Sequence, residues 1–321
     1  MGDPLILQSP DLRVVVDAAR GADVLSLTHR GRDLDVLFST PWRERAERVR
    51  TGLETPTSTD PVAGPLEQYA GGWQLLCPNA GAPRVVAGAP VGFHGEAWLA
   101  GWDVVEADEL NARLRTELHT VPVLIEREVT LDAGSASMTI TDVLTNLSEV
   151  ELEVDYVSHP AFGGAFIDGR VTVDTGARRF TADPDTTGGA VPAGSVADWP
   201  YAADGVDLRI VPGPGERRML FGWLSDFDGH WASITNLDLG LRVRLDWDGT
   251  HLPYAWFWQE LNWTAGYPWF RRARAIAIEP SSTTTGGPQR HSVLRLEASA
   301  SIRLPVSITL DETRPEQEES A

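Results

Sequence analysis

The sequence predicts an all-β protein built as one large β-sandwich with very little helix. Apolar and polar residues alternate with period two through much of the chain, 30 glycines and 22 prolines are spread along its length, and only one stretch has a helical pattern. A chain of 321 residues is long for one domain, but large all-β architectures reach this size as a single unit.

In chain order, strand-like runs fall at 12–17, 23–28, 72–77, 102–107, 150–158, 206–211, 217–224, 230–235, 254–260, 273–279 and 291–297. Elsewhere the alternation is explicit. Ile125, Val129 and Leu131 oppose Glu126, Glu128 and Thr130, and Met138 and Ile140 oppose Thr139 and Thr141. Leu241, Val243 and Leu245 oppose Arg242, Arg244 and Asp246. Ile302, Leu304, Val306 and Ile308 alternate with Arg303, Pro305, Ser307 and Thr309, where the proline puts the strand at an edge or near a bulge. Asp132-Ala-Gly, Asp168-Gly and Asp248-Gly punctuate the strands as turns.

The one predicted helix starts at Pro41, capped by Thr40, and runs to Arg50. Segment 181–205, rich in Gly, Pro, Asp and Thr, reads as a long surface loop. No internal repeat or linker divides the chain. Residues 1–310 are expected to form a single domain, and 311–321, with five acidic residues against Arg314, a frayed acidic tail.

The net charge of −19 repels phosphate backbones and anionic lipids, so neither nucleic acid nor a membrane surface is expected as a partner. A neutral small molecule fits that field better. One cysteine, Cys77, permits no intrachain disulfide and suits a reducing compartment. The N-terminus lacks a signal-peptide pattern and no run of 18 apolar residues occurs, so a cytoplasmic location is expected. Asn146-Leu-Ser and Asn262-Trp-Thr match the glycosylation pattern, which carries no meaning in that compartment. No metal-ligand spacing, phosphate-cradling loop or nucleotide fingerprint is present, so no metal or cofactor is expected.

Ionisable residues interrupt strand-like sequence in three places. In Val91-Gly-Phe-His-Gly-Glu-Ala-Trp98, His94 precedes a glycine that lets backbone approach a ligand, although a histidine satisfied within a turn is the competing reading. In Ser158-His-Pro-Ala-Phe-Gly-Gly164, the proline is expected to end the strand at His159 and point an imidazole, able to give or take a proton near neutrality, into a cleft. In Ala273-Arg-Ala-Ile-Ala-Ile-Glu-Pro280, Glu279 ends an apolar run. A carboxylate there is costly to bury unless paired or functional, and partial burial raises its pKa toward the range of a general base.

Seven of the 12 tryptophans lie between 223 and 269, while Trp73, Trp98 and Trp102 flank the first histidine. Indole faces match the C–H face of a pyranose. Most of these rings must be core, and two or three at most are expected to touch a ligand.

Together these segments resemble the aldose 1-epimerase (galactose mutarotase) family, in which an early His-Gly, a mid-chain His-Pro-x-Phe and a late strand-ending glutamate occur in order. Here they stand as His94-Gly95, His159-Pro160-Ala161-Phe162 and Glu279-Pro280, with Gly21–Leu27 similar to the family's opening strands and Gly71–Gly81 to the segment before its first histidine. The resemblance spans residues 5 to 310.

It implies a twisted β-supersandwich, galactose mutarotase-like, with the site on one concave sheet. It also implies an aldose 1-epimerase in which His159 protonates the ring oxygen and Glu279 takes the anomeric hydroxyl proton. The ring opens, C1–C2 rotates, and closure gives the other anomer. His94, Asn79, Arg84, Trp98 and Glu260 are the substrate-binding candidates.

The chain departs from the family at Asn79-Ala80, where members acting on galactose carry Asn-Arg, and at His94-Gly95-Glu96, where they carry His-Gly-Gly. These departures bear on which sugar binds. Arg271, Arg272 and Arg274 are candidates for a phosphate pocket, against which the overall charge weighs. Two alternatives stand beside the epimerase: a non-catalytic sugar-binding or sensor protein, and an isomerase or lyase acting on a modified sugar.

Overall fold

The computed structural model describes residues 3–313. Among them are twenty-two strands and two short α-helices, Arg43–Arg50 and Ala63–Leu66. Eighteen strands join one sheet, and two further pairs form small ribbons, Leu152–Val154 with Leu294–Leu296 and Arg84–Val86 with Ala89–Val91. No helix among the described residues is long and apolar enough to cross a membrane.

One strand makes a sandwich out of this sheet. Arg218–Asn236 is nineteen residues long; its first half pairs with Tyr254–Leu261 and its second with Leu241–Trp247, which belong to different layers. On its other side Val171–Ala182 follows it through the bend, with a register shift between Thr175 and Ala177, and Asp226 takes a φ of 56°. An extra residue in one strand kinks both and sharpens the local twist.

The first layer continues from Tyr254–Leu261 through Arg274–Ser281, Val157–Gly163 and Trp73–Leu76 to Asp23–His29 and Leu12–Asp17. The second runs from Leu241–Trp247 through Ser301–Glu312, Ser137–Asn146 and Val123–Leu131 to Asn111–Glu117. Leu27, Leu75, Phe162, Phe257, Ile276 and Ile278 of the first layer meet Val129, Ile140, Val243, Leu304 and Ile308 of the second in one core.

The layers differ on their outer faces. Leu241–Trp247 alternates buried and half-buried residues, as the period-two pattern predicts. Arg274–Ser281 and Trp73–Leu76 are buried at almost every position, so the first layer is covered on both sides. Ala161, Ala275 and Ala277 face away from the core into a second cluster with Phe38, Tyr69 and Trp98. Small side chains at those positions let large rings lie close against the sheet.

Several expectations need correction. Thr40 caps no helix: its hydroxyl donates to the Tyr69 carbonyl at 3.0 Å, and the helix begins at Arg43 without a side-chain cap. Runs 217–224 and 230–235 are halves of one strand, and run 150–158 divides into Leu152–Val154 and Val157–Gly163. Ser301–Glu312 has neighbours on both sides, but its ladder with Leu241–Trp247 starts at Val306, so Pro305 lies outside that ladder and its missing N–H costs no bond there.

Segment 181–205 holds the short strand Val196–Asp198 and the buried Asp183. Asp311 and Glu312 belong to the last strand and pair with Arg242 at 2.8 Å and Arg32 at 3.0 Å; the expected tail from Arg314 onward lies outside the described residues. Strands Leu5–Gln8, Asn111–Glu117 and Val171–Ala182 were not among the predicted runs.

Candidate active site

His159 and Glu279 lie inside their strands, not at the ends where the following prolines suggested they would be. The two strands pair at Val157 with Ser281 and again at Ala161 with Ala277. His159 and Glu279 fall halfway between, opposite each other, in a stretch where this ladder forms no pair. Pro160 and Pro280 have no N–H to contribute, so the prolines thin the ladder without ending either strand.

On its other side His159 is in register with Gln74, and Glu279 with Trp256. Opposed residues of an antiparallel ladder share a face. Gln74, His159, Glu279 and Trp256 therefore form a row across four strands, on the face turned away from the core.

That row is the floor of a cavity of about 460 Å³, within the size range of small-molecule sites. Trp98, Trp258, Trp269, Phe93 and Phe221 give it apolar walls. Trp269 ties the wall together, its ring 5.6 Å from Trp258, 5.3 Å from Trp42 and 6.5 Å from Tyr69. Asp183, also on the lining, accepts from the Thr285 hydroxyl at 2.5 Å and the Thr186 hydroxyl at 2.9 Å, joining two loops. No arginine or lysine lines the cavity among the described residues.

His159 Nε2 stands 3.6 Å from Glu279 Oε1. Burial holds the imidazole down to about 4 and pushes the carboxyl well above its ordinary value. Both directions have one cause, the cost of charge away from water. Burial therefore favours a neutral imidazole facing a carboxylic acid.

His94 faces the same cavity, its ring 5.9 Å from that of His159. It sits at φ 61°, a conformation rare for a residue with a side chain. The Gly81 amide donates to His94 Nδ1 at 3.0 Å, and the His94 amide donates to the Gly81 carbonyl at 3.0 Å. Since Nδ1 accepts, the proton of the neutral ring is on Nε2. Burial above all, with the positive charge of Arg290 acting the same way, holds the His94 pKa well below its ordinary value, so this ring stays a neutral donor.

The Gly81 turn is itself held from beneath. Buried Asp155 accepts from the Ala80 amide at 3.0 Å and pairs with Arg84 at 3.0 Å and Arg290 at 2.7 Å.

Of the predicted site residues, the fold brings His159, Glu279, His94 and Trp98 to the cavity; Asn79, Arg84 and Glu260 are not on its wall. The Asn79 amide is fully engaged, donating to the Ala82 and Gly92 carbonyls and accepting from Arg84 and Arg290. Arg84 is committed to Asn79 and Asp155. Glu260 accepts from the Trp263 and Thr264 amides and the Thr264 hydroxyl, closing the turn after its strand. Among the arginines weighed for a phosphate pocket, Arg274 donates to the Pro212 carbonyl at 2.5 Å. Arg271 lines a separate surface hollow.

Sequence reasoning missed Tyr69 and Gln74. Gln74 was findable, as a polar residue at the alternate position between buried Trp73 and Leu75; Tyr69 lies in a loop without periodic signal. Four tryptophans, Trp98, Trp256, Trp258 and Trp269, line the cavity. No group of three or more His, Cys, Asp or Glu among the described residues is placed to hold a metal ion.

A family model described as a domain of unknown function (DUF4432) matches residues 5–297. No curated protein matches. Among solved structures, the Slr1438 protein from Synechocystis sp. PCC 6803 is similar at 16% identity and a TM-score of 0.68, over 98% of this chain and 97% of that one. A galactose mutarotase-like protein from Lactobacillus casei is similar at 16% identity and a TM-score of 0.65, over 96% of this chain and 100% of that one. A galactose mutarotase related enzyme from Lactobacillus acidophilus is similar at 13% identity and a TM-score of 0.66, over 97% of this chain and 99% of that one. At such identities the likeness shows the fold, which is galactose mutarotase-like.

Proposed function

The chain belongs to the DUF4432 family, and we propose that it is an aldose 1-epimerase-like isomerase that interconverts the α and β anomers of an uncharged sugar. The observation that carries this reading is the close His159–Glu279 pair, 3.6 Å apart on the floor of an aromatic cavity.

Anomerisation needs one group to give a proton to the ring oxygen and another to take the proton of the anomeric hydroxyl. The C1–O5 bond breaks, its electron pair stays on O5, and the O1–H electrons become the second bond of the aldehyde. With imidazolium and carboxylate at the start, ring opening leaves neutral imidazole and carboxylic acid. One proton has crossed from His159 to Glu279 through the sugar, and no net charge has been made or lost.

Rotation about C1–C2 and closure return the proton and deliver the other anomer. The proton distribution that burial favours is the one that accompanies the open-chain aldehyde. Each positioned proton transfer contributes roughly 10²–10⁴-fold. His94, fixed as an Nε2–H donor, suits a sugar oxygen, and the lining tryptophans suit its C–H face.

The absence of basic side chains from the lining favours a neutral sugar over a phosphorylated one. Polarimetry on a freshly dissolved single anomer is the test, since an active protein hastens the approach to the equilibrium rotation. Calorimetric binding without such acceleration would identify a sugar sensor instead, and NMR of the products would reveal an isomerase or lyase of different outcome.

A further inference from the structure

Two buried polar atoms on residues that line the cavity have no protein partner and no role in the proton transfer: the Tyr69 hydroxyl and Gln74 Oε1. Tyr69 is 8% exposed and Gln74 2%, so neither atom is satisfied by bulk water. Buried polar atoms are rarely left unpaired, and a pair that faces a cavity points to a ligand.

The Gln74 amide has only one tenable orientation. Its Nε2 donates to the Gly71 carbonyl at 2.6 Å and to Asp23 Oδ2 at 3.3 Å. Turning the amide over would set its oxygen against the Gly71 carbonyl oxygen, an obligate acceptor. Oε1 is therefore a fixed acceptor, while the Tyr69 phenol is a donor. The Tyr69 ring packs edge-on to His159 with centroids 6.4 Å apart, and Gln74 is the residue in register with His159. A donor and an acceptor beside one imidazole suit a single hydroxyl group, which needs one of each.

The order along the floor says which hydroxyl. Trp256, Glu279, His159 and Gln74 follow one another across the strands. If Glu279 faces the anomeric oxygen and His159 the ring oxygen, the next position in that direction belongs to the substituent on C5. We propose that Tyr69 and Gln74 form a subsite for the C6 hydroxyl of an aldohexose, selecting hexoses with a free, uncharged C6 hydroxyl over their 6-deoxy counterparts. This rests on the sugar-isomerase reading given above.

The test is calorimetric titration of wild type and Tyr69→Phe with D-galactose and 6-deoxy-D-galactose, and with D-glucose and 6-deoxy-D-glucose. The Tyr69 hydroxyl bonds to nothing in the protein, so Phe removes no internal hydrogen bond and the fold is expected to hold. The expected result is that wild type binds the hexose about tenfold or more tightly than its 6-deoxy partner. Tyr69→Phe then loses most of that preference while binding the 6-deoxy sugar as wild type does. Hexose binding with no preference, or equal weakening of both sugars by Tyr69→Phe, overturns the subsite and leaves the isomerase reading standing. If neither wild type nor variant binds any of the four sugars, the sugar reading falls and takes the subsite with it.

Discussion

Gly81 and His94 hold each other by two hydrogen bonds of 3.0 Å, amide to imidazole in one direction and amide to carbonyl in the other. The contact depends on a glycine. Gly81 has a φ of 75°, and a β-carbon there would stand 2.1 Å from the Gly286 carbonyl oxygen. Gly81→Ala should therefore cost about 1–3 kcal/mol, read from urea unfolding, and should weaken sugar binding by releasing the His94 ring. Wild-type affinity in a folded Gly81→Ala protein would mean that the fixed tautomer is irrelevant to binding.

Glu279→Gln and His159→Asn should each slow anomerisation by roughly 10²–10⁴-fold, measured by polarimetry, with sugar affinity reduced far less. The two losses should not multiply in the double variant, because the groups pass one proton between them. Rates unchanged in both single variants would remove the mechanism.

The same two residues predict opposite dependences of stability on pH. Burial holds His159 at about 4 in the folded state against an ordinary 6.5, so between those values the unfolded chain binds a proton that the folded one does not. Its stabilising contribution is complete above 6.5 and is lost as pH falls toward 4. Glu279 is raised well above 4.5 by burial, so its contribution is complete below 4.5 and is lost as pH rises through the raised value. Thermal melts should show Glu279→Gln losing less stability than wild type as pH rises above 4.5. His159→Asn should lose less than wild type on acidification. Curves parallel to wild type for both variants would contradict the burial argument.

Asp155 should behave as a stability residue. It is fully buried and balances Arg84 and Arg290. Asp155→Ala strands two guanidinium groups and is expected to destabilise by about 3–5 kcal/mol in denaturant titration. Glu260→Gln, which weakens a turn outside the cavity, should lower the melting temperature while leaving KM nearly unchanged. A large KM effect with intact stability would return Glu260 to the binding surface.

The second layer was legible because its outer face meets water, so Leu241–Trp247 and Val123–Leu131 carry the alternation of a half-buried strand. Val171–Ala182 was missed because Gly176 and the adjacent Arg178 and Arg179 break that rhythm at the bend. Proline misled in the first layer, since Pro160 and Pro280 read as strand ends yet lie within strands. His159 and Glu279 were nevertheless findable, being ionisable residues in apolar runs. Asn79 and Arg84 were named from the family resemblance, but what they bind is the protein's own backbone and Asp155, a distinction that only three-dimensional packing makes. Tyr69 reaches the floor from a loop, and nothing local marks it.

The floor strands are covered on both faces, whereas the rim is made of the loops near Asp183 and Gly286. Amide hydrogens flanking His159 and Glu279 should exchange with deuterium only through opening of the whole sheet, while those of the rim exchange through local breathing. Chemistry and selectivity are thus assigned to parts of different stiffness. Sequence drift in the rim can change which molecule is admitted without disturbing the distance over which the proton travels.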